Sequence, residues 1–242
     1  DPLSGTSPTF MNTSVIDDLA ALNAPVLCVD TCTVLDVIRD ITRETAVAHD
    51  ANAGLALLAA AEAGSDLIVL MAEQVTIELA AHVAGVEVEA RNALARFRAQ
   101  AQRIHEVALA YGAQGMLPLD HLEGHVARAR TVLNRWRDVA SVVPHNDGVA
   151  SRAFKRVNEP RAPARLGKES MKDCVIVEAY IEAAGQLRSA GLVAPIVFAS
   201  SNTKEYFAPN TRRLQDEIAA DLEDVGVEYA PNFGAAKHSL GL

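Results

Sequence analysis

Asp30, Glu78, Asp173 and Asn202 are the side chains whose surroundings suggest chemistry. Asp30 directly follows the apolar run PVLCV, in VDTCTVLD. A carboxylate just past a buried strand stands where open parallel sheets bind ligands, but it equally suits the N-cap of a following helix. Glu78, in EQVTIELA, falls beside Val75 and Leu79 of the apolar face on a helical wheel. An acid there is costly unless paired or metal-bound, and is otherwise a half-exposed helix glutamate. Asp173, in KESMKDCVIVEAYIEAA, opens an apolar helix, and Ser170 three residues earlier also gives it capping-box spacing. Asn202, in FASSNTKEYF, follows another apolar run, where an asparagine also serves in plain turns. Carboxylates gathered at one place repel one another unless a cation sits among them, and Mg2+ or Mn2+ prefers such oxygens. Glu178 lies about 140° around the helix from Asp173 and does not share its face. His121 and His125 have i,i+4 spacing without the HExxH pattern and are read as exposed helix residues.

The elements that must position these residues alternate. Short runs rich in β-branched residues at 25–29, 67–71, 193–199 and 226–230 are expected as strands. Helical spacing is expected at 33–42, 46–64, 73–83, 86–111, 121–140, 170–190 and 211–224, with Asp120 and Glu123 as a capping box. Residues 142–168, punctuated by three prolines, are expected as a loop around a short helix near 149–157. Alternating strands and helices imply an α/β fold with a parallel sheet, interrupted by a helical insertion at about 91–165.

The 242 residues carry a formal charge of −9, distributed unevenly. Residues 1–90 hold 14 acidic and 2 basic side chains, 91–172 hold 7 and 15, and 173–242 hold 10 and 5. The middle is thus basic and the rest acidic, which points to a polyanionic partner or to arginines on solvated helix faces. Apolar runs are too short for a membrane span, and no basic-then-apolar leader occurs, so a cytoplasmic protein without a membrane partner is expected. Cys28, Cys32 and Cys174 form no CxxC pair and are read as reduced core residues. The aromatics Phe97, Tyr111, Trp136 and Phe154 are read as core. Residues 1–10, ahead of Met11, read as an expression remnant.

Taken in order, VDTCTVLD, TIEL, KDCVIVEA and SSNTKEYF resemble the PIN-domain family, closest to its larger bacterial members rather than the toxin-sized ones. A phosphatase of the haloacid-dehalogenase type also begins with an Asp after its first strand, but Cys32 stands where its second Asp would be. The PIN resemblance covers about 25–90 and 166–232, within one domain spanning 11–242. It implies a three-layer α/β sandwich around a parallel sheet. Carried over by position, Asp30, Glu78 and Asp173 are implied as the acids holding Mg2+ or Mn2+. Asn202 stands at a fourth position that is often Asp, and Glu205, Thr31 and Lys172 are auxiliary candidates. The implied activity is a metal-dependent endoribonuclease leaving a 5′-phosphate and a 3′-hydroxyl, with RNA as substrate. An acidic pocket repels RNA, so the basic insertion, through Arg128, Arg135, Arg152, Lys155, Arg156 and Arg161, is expected to hold the phosphate backbone. An antitoxin-like protein and a second copy of the chain are further candidate partners. The alternatives are a nuclease for DNA or for particular nucleic-acid structures, and a degenerate PIN-like domain that binds RNA or protein without cutting.

Overall fold

In the computed structural model, residues 12–165 and 167–242 are described. Residues 1–10, read above as a remnant, lie outside them. Along the chain run α1 (Thr13–Leu22), β1 (Val26–Val29), α2 (Thr31–Asp36), α3 (Ala48–Glu62), β2 (Ile68–Ala72) and α4 (Glu73–Ala110). There follow a 3-10 turn (Asp120–Leu122), α5 (His125–Val139), β3 (Ser141–Val143), α6 (Asp147–Asn158) and α7 (Met171–Ser189). Then come β4 (Ile196–Ala199), α8 (Thr203–Tyr206), α9 (Asp216–Glu223), β5 (Val227–Ala230) and α10 (Phe233–Leu240).

The five strands form one parallel sheet in the order β3-β2-β1-β4-β5. Helices flank it on both faces, as a three-layer sandwich requires. Strands β1, β2 and β4 are buried along their whole length, which is why each reads as an unbroken apolar run. The chain winds outward from β1 to β2 and β3, then returns to the other side of β1 for β4 and β5. The direction of winding therefore reverses between β1 and β4, and a crevice opens there beyond the strand ends.

Helix α7 covers β2 and β3 and carries α6 and α1 against it, while α10 rests on β1, β4 and β5 with α3 behind it. Tyr180, fully buried on α7, donates to Val29 O at 2.5 Å and accepts from Ala72 N at 2.9 Å. One phenol thus fastens α7 to the carboxyl ends of β1 and β2, which fixes the helix start two turns earlier relative to both strands.

Several expectations need correction. Helices expected at 73–83 and 86–111 are one helix: nothing crowds Gly85, and a lone glycine weakens a helix by only about 1 kcal/mol. The Asp120–Glu123 capping box does not form. Gly124, at φ 65°, ends the 3-10 turn and α5 starts at His125, so His121 and His125 do not share one helix. The expected loop contains β3, three residues long at the sheet edge, and a full helix, α6, capped by Asn146 accepting from Val149 N at 2.9 Å. Residues 207–214 fold back on themselves through a Phe207–Leu214 bridge, which delays α9 to Asp216. The basic region is therefore not all helical, because it supplies an edge strand. Trp136 is core as expected and stacks on Phe233 at 5.1 Å, but Phe97, Tyr111 and Phe154 are exposed. The three cysteines are free, with Cys28 and Cys174 buried and Cys32 half-buried. Among the described residues no helix is long and apolar enough to cross a membrane.

Candidate active site

Asp30 directly follows β1 at the winding reversal and is 3 % exposed. It caps α2, accepting from Thr31 N at 2.7 Å, and its other oxygen accepts from Ser200 Oγ at 2.5 Å and Cys32 Sγ at 3.2 Å. The capping role read from the sequence is therefore made, by a carboxylate that also stands just beyond the carboxyl end of β1. Its main-chain N–H donates to Ala199 O at 3.0 Å, which keeps the ends of β1 and β4 together. Burial raises the Asp30 carboxyl above its ordinary range, the hydrogen bonds from Ser200, Cys32 and Thr31 pull it back, and the charge of Glu78 adds to the rise.

Glu78 sits in the second turn of α4, directly after β2. It accepts from Thr31 Oγ1 at 2.6 Å and from Gln74 Nε2 at 3.1 Å. Asp173, in the first turn of α7, makes no side-chain hydrogen bond among the described residues; the Ser170 cap is not made either. Burial, and then the charges of Asp30, Glu78 and Glu205, push the Asp173 carboxyl up to about 7, against some relief from Lys168. Asn202 follows β4, and its N–H donates to Ser200 Oγ at 3.3 Å.

The structure brings these four together. Asp30, Glu78, Asp173 and Asn202 line one open cleft of about 370 Å3, with Thr31, Arg39 and His82 among its other walls. Gly85 also lines it, and the missing side chain leaves that wall open. Of the auxiliary candidates, Thr31 bridges Asp30 and Glu78 through its N–H and hydroxyl. Lys172 is exposed next to Asp173. Glu205 is buried and engaged elsewhere: Lys168 Nζ lies 3.0 Å from one oxygen and Arg165 Nε 3.1 Å from the other, although that N–H is not aimed well enough to donate. It serves as the counter-ion of these two cations and does not line the cleft.

The donor set suits a hard cation in kind, being carboxylate and amide oxygens. Burial first, and the neighbouring negative charges second, raise the Asp30 and Asp173 carboxyls. In position it is not closed. Among the described residues, no three His, Cys, Asp or Glu side chains stand close enough to share an ion. Asp30 and Glu78 are each turned toward protein donors, the arrangement that mutual repulsion favours without a cation.

The six cations expected to present the substrate do not line this cleft. Arg128 donates to the main-chain oxygens of Glu123 and His121, and Arg135 forks onto Glu62 with both bonds at 2.7 Å. Arg152 pairs with Glu178 and Glu182. Arg156, 5 % exposed, is held by Glu178, Asp221 and Ala162 O, and Arg161 joins it on Asp221. Lys155 is exposed, 3.8 Å from Glu159. The charge split along the sequence is thus largely resolved inside the fold, basic middle against acidic body. The cations near the acids are instead Arg39, Arg165 and Lys168. Sequence reading missed these, and also Ser200, Gln74 and Tyr180. Ser200 carried a usable signal, a hydroxyl directly after a buried strand, whereas the pairing of Arg165 and Lys168 with Glu205 spans 40 and 37 residues and left none.

No family model, curated protein or solved structure matches this chain.

Proposed function

We propose that the protein is a divalent-metal-dependent phosphodiesterase that cuts RNA, as its PIN-like sequence features imply. The observation that carries this reading is the gathering of Asp30, Glu78, Asp173 and Asn202 in one cleft at the winding reversal of a parallel sheet. These residues come from four separate segments of the chain, and three of them are acids. Asp30, Glu78 and Asp173 would hold Mg2+ or Mn2+, which when bound supplies an activated water and charge stabilisation for attack on a phosphodiester.

The chain's own contributions follow from its contacts. Ser200 and the Thr31 N–H fix the orientation of Asp30. The Thr31 hydroxyl and Gln74 do the same for Glu78. Asp173, free of hydrogen-bond partners among the described residues, is the carboxylate with no protein contact to give up before holding the cation. Arg39, the cation of the cleft wall, is paired with Asp36 at 3.1 Å and would have to exchange that partner to meet a substrate phosphate.

The test is cleavage of a labelled RNA and a DNA of matched sequence in Mg2+ or Mn2+, with EDTA and Asp30→Asn as controls. RNA cleavage that is lost in EDTA and in a folded Asp30→Asn variant is the expected result. Wild-type activity persisting in EDTA or in the variant overturns the proposal, and selective cutting of DNA reassigns the substrate. One specific observation favours a second reading. The acids do not close on a shared point, and the fourth position is a neutral Asn202, as in a domain that binds nucleic acid without cutting it. RNA binding with no metal-dependent turnover would establish that reading instead.

A further inference from the structure

A second hollow, of about 610 Å3, opens beside the cleft. The chain passes from one to the other without interruption: Asn202 lines the first, and Thr203 and Lys204 line the second. Arg165, Phe207 and Asn210 complete the walls that matter here. We propose that this hollow seats the nucleotide next to the cleaved phosphate of a single-stranded polynucleotide; the inference rests on the nuclease reading of the neighbouring cleft.

Charge is the first argument. Residues 173–242 carry 5 basic side chains, and Lys204, Arg212 and Arg213 are three of them, within ten residues of one another. Lys204 lines the hollow, while Arg212 and Arg213 stand on the 207–214 fold-back that forms its wall, where Ala208 N donates to Arg213 O at 2.9 Å. All three are exposed, and among the described residues none makes an ion pair. Four arginines of the basic middle region, Arg135, Arg152, Arg156 and Arg161, are by contrast tied to carboxylates. Unpaired cations are the ones that can exchange solution counter-ions for phosphates.

Shape is the second argument. Phe207 is half-buried and braced edge-on by Tyr229 at 5.5 Å, so an aromatic surface is held rigidly at the wall. Any base can rest against such a ring, which makes the contact tolerant of sequence. A base reaches it only by leaving its stack, which a single strand does far more cheaply than a duplex.

The experiment uses the full chain in EDTA, so that binding is read without cutting. A fluorescein-labelled oligouridylate, alone or paired with oligoadenylate, is titrated by anisotropy at several salt concentrations. The proteins are wild type, the triple variant Lys204→Ala, Arg212→Ala, Arg213→Ala, and Lys155→Ala. Thermal melts check that the variants, all on exposed side chains, remain folded. The single strand is expected to bind wild type more tightly than the duplex. The triple variant is expected to lose roughly tenfold in affinity at low salt. Its slope of log affinity against log salt should shrink by about 2, the value for three lost single-strand phosphate contacts. Lys155→Ala should match wild type. Unchanged affinity and slope in the triple variant, or a duplex bound as tightly as the single strand, overturns the assignment of the hollow. Wild-type cleavage in Mg2+ alongside that result leaves the nuclease reading standing. Binding that depends on the three cations, without any metal-dependent cleavage, keeps the hollow and removes the nuclease. A wild type that neither binds nor cuts removes both.

Discussion

Asp173 is a carboxyl pushed from an ordinary 3.8 up to about 7 by burial and by the negative charges around it. Between those two values the folded, metal-free protein keeps a proton that the unfolded chain has already released. Stability then falls as pH rises through that window, because the native state binds more protons than the unfolded state. Melting temperatures in EDTA should therefore drop from about pH 4 to about pH 7 more steeply in wild type than in Asp173→Asn, which has no proton to lose there. Parallel curves for the two proteins would show that Asp173 is not under this strain. Thr31 tests a different contact. Its hydroxyl is the donor that sets Glu78 at 2.6 Å, so Thr31→Val, nearly unchanged in volume, should keep the fold. It should lower metal-dependent kcat/KM about 10–100-fold, as loss of a partner that orients a ligand does. Unaltered kinetics in that variant would remove Thr31 from the site. At this scale the sequence was informative about the acids because each adjoins an apolar run that must be buried. It said little about Ser200, Arg165 or Lys168, whose partners are set by folding and not by spacing.

Among the elements, β1, β2 and β4 were readable because a strand covered on both faces must be apolar almost throughout, and the edge strand β5 because Val227 and Ala230 are still buried within a short β-prone run. The edge strand β3 is three residues long, half-exposed, and has no such signature. Helix α6 was underestimated for a related reason. Only Val149, Ala153 and Arg156 are buried on it, and one of these is a cation, so the apolar stripe is broken in sequence although the face is buried in space. Burial opposes the charge of Arg156, but Glu178 and Asp221 together outweigh it and hold the guanidinium above its ordinary pKa. Removing one member of such a buried set leaves the others unpaired, so Arg156→Ala should destabilise the fold by about 3–5 kcal/mol. Lys155→Ala, one residue away and exposed, should stay within about 0.5 kcal/mol of wild type. Urea titrations of the two variants check both figures. Equal stabilities would mean that α6 is not anchored to α7 by this network.

At the scale of the whole molecule, the basic middle of the chain is bound into the fold it was expected to interrupt. It supplies β3 to the sheet through the pairing of Met71 with Val142, and Trp136 to the core against Phe233 of the last helix. Part of its charge serves cohesion, through the pairings of Arg135, Arg152, Arg156 and Arg161. Helix α4 is the exception to this integration. It is 38 residues long, roughly 57 Å at 1.5 Å per residue, yet the last buried side chain on it is Leu94. Beyond that point Phe97, Ile104, Val107 and Leu109 are all exposed, and the Arg98–Glu123 pair at 3.0 Å is a surface tether. A helical stretch of that length with no packed face is marginal in water. The same continuous helix should therefore show two regimes of amide hydrogen exchange. Amides of 75–94 should open only with the global fold, and those of 98–110 should exchange by local fraying many times faster. Mass spectrometry of the full chain under native conditions resolves the two. Protection running evenly to Ala110 would mean that the distal half is covered in solution, with a second copy of the chain or another protein lying along it.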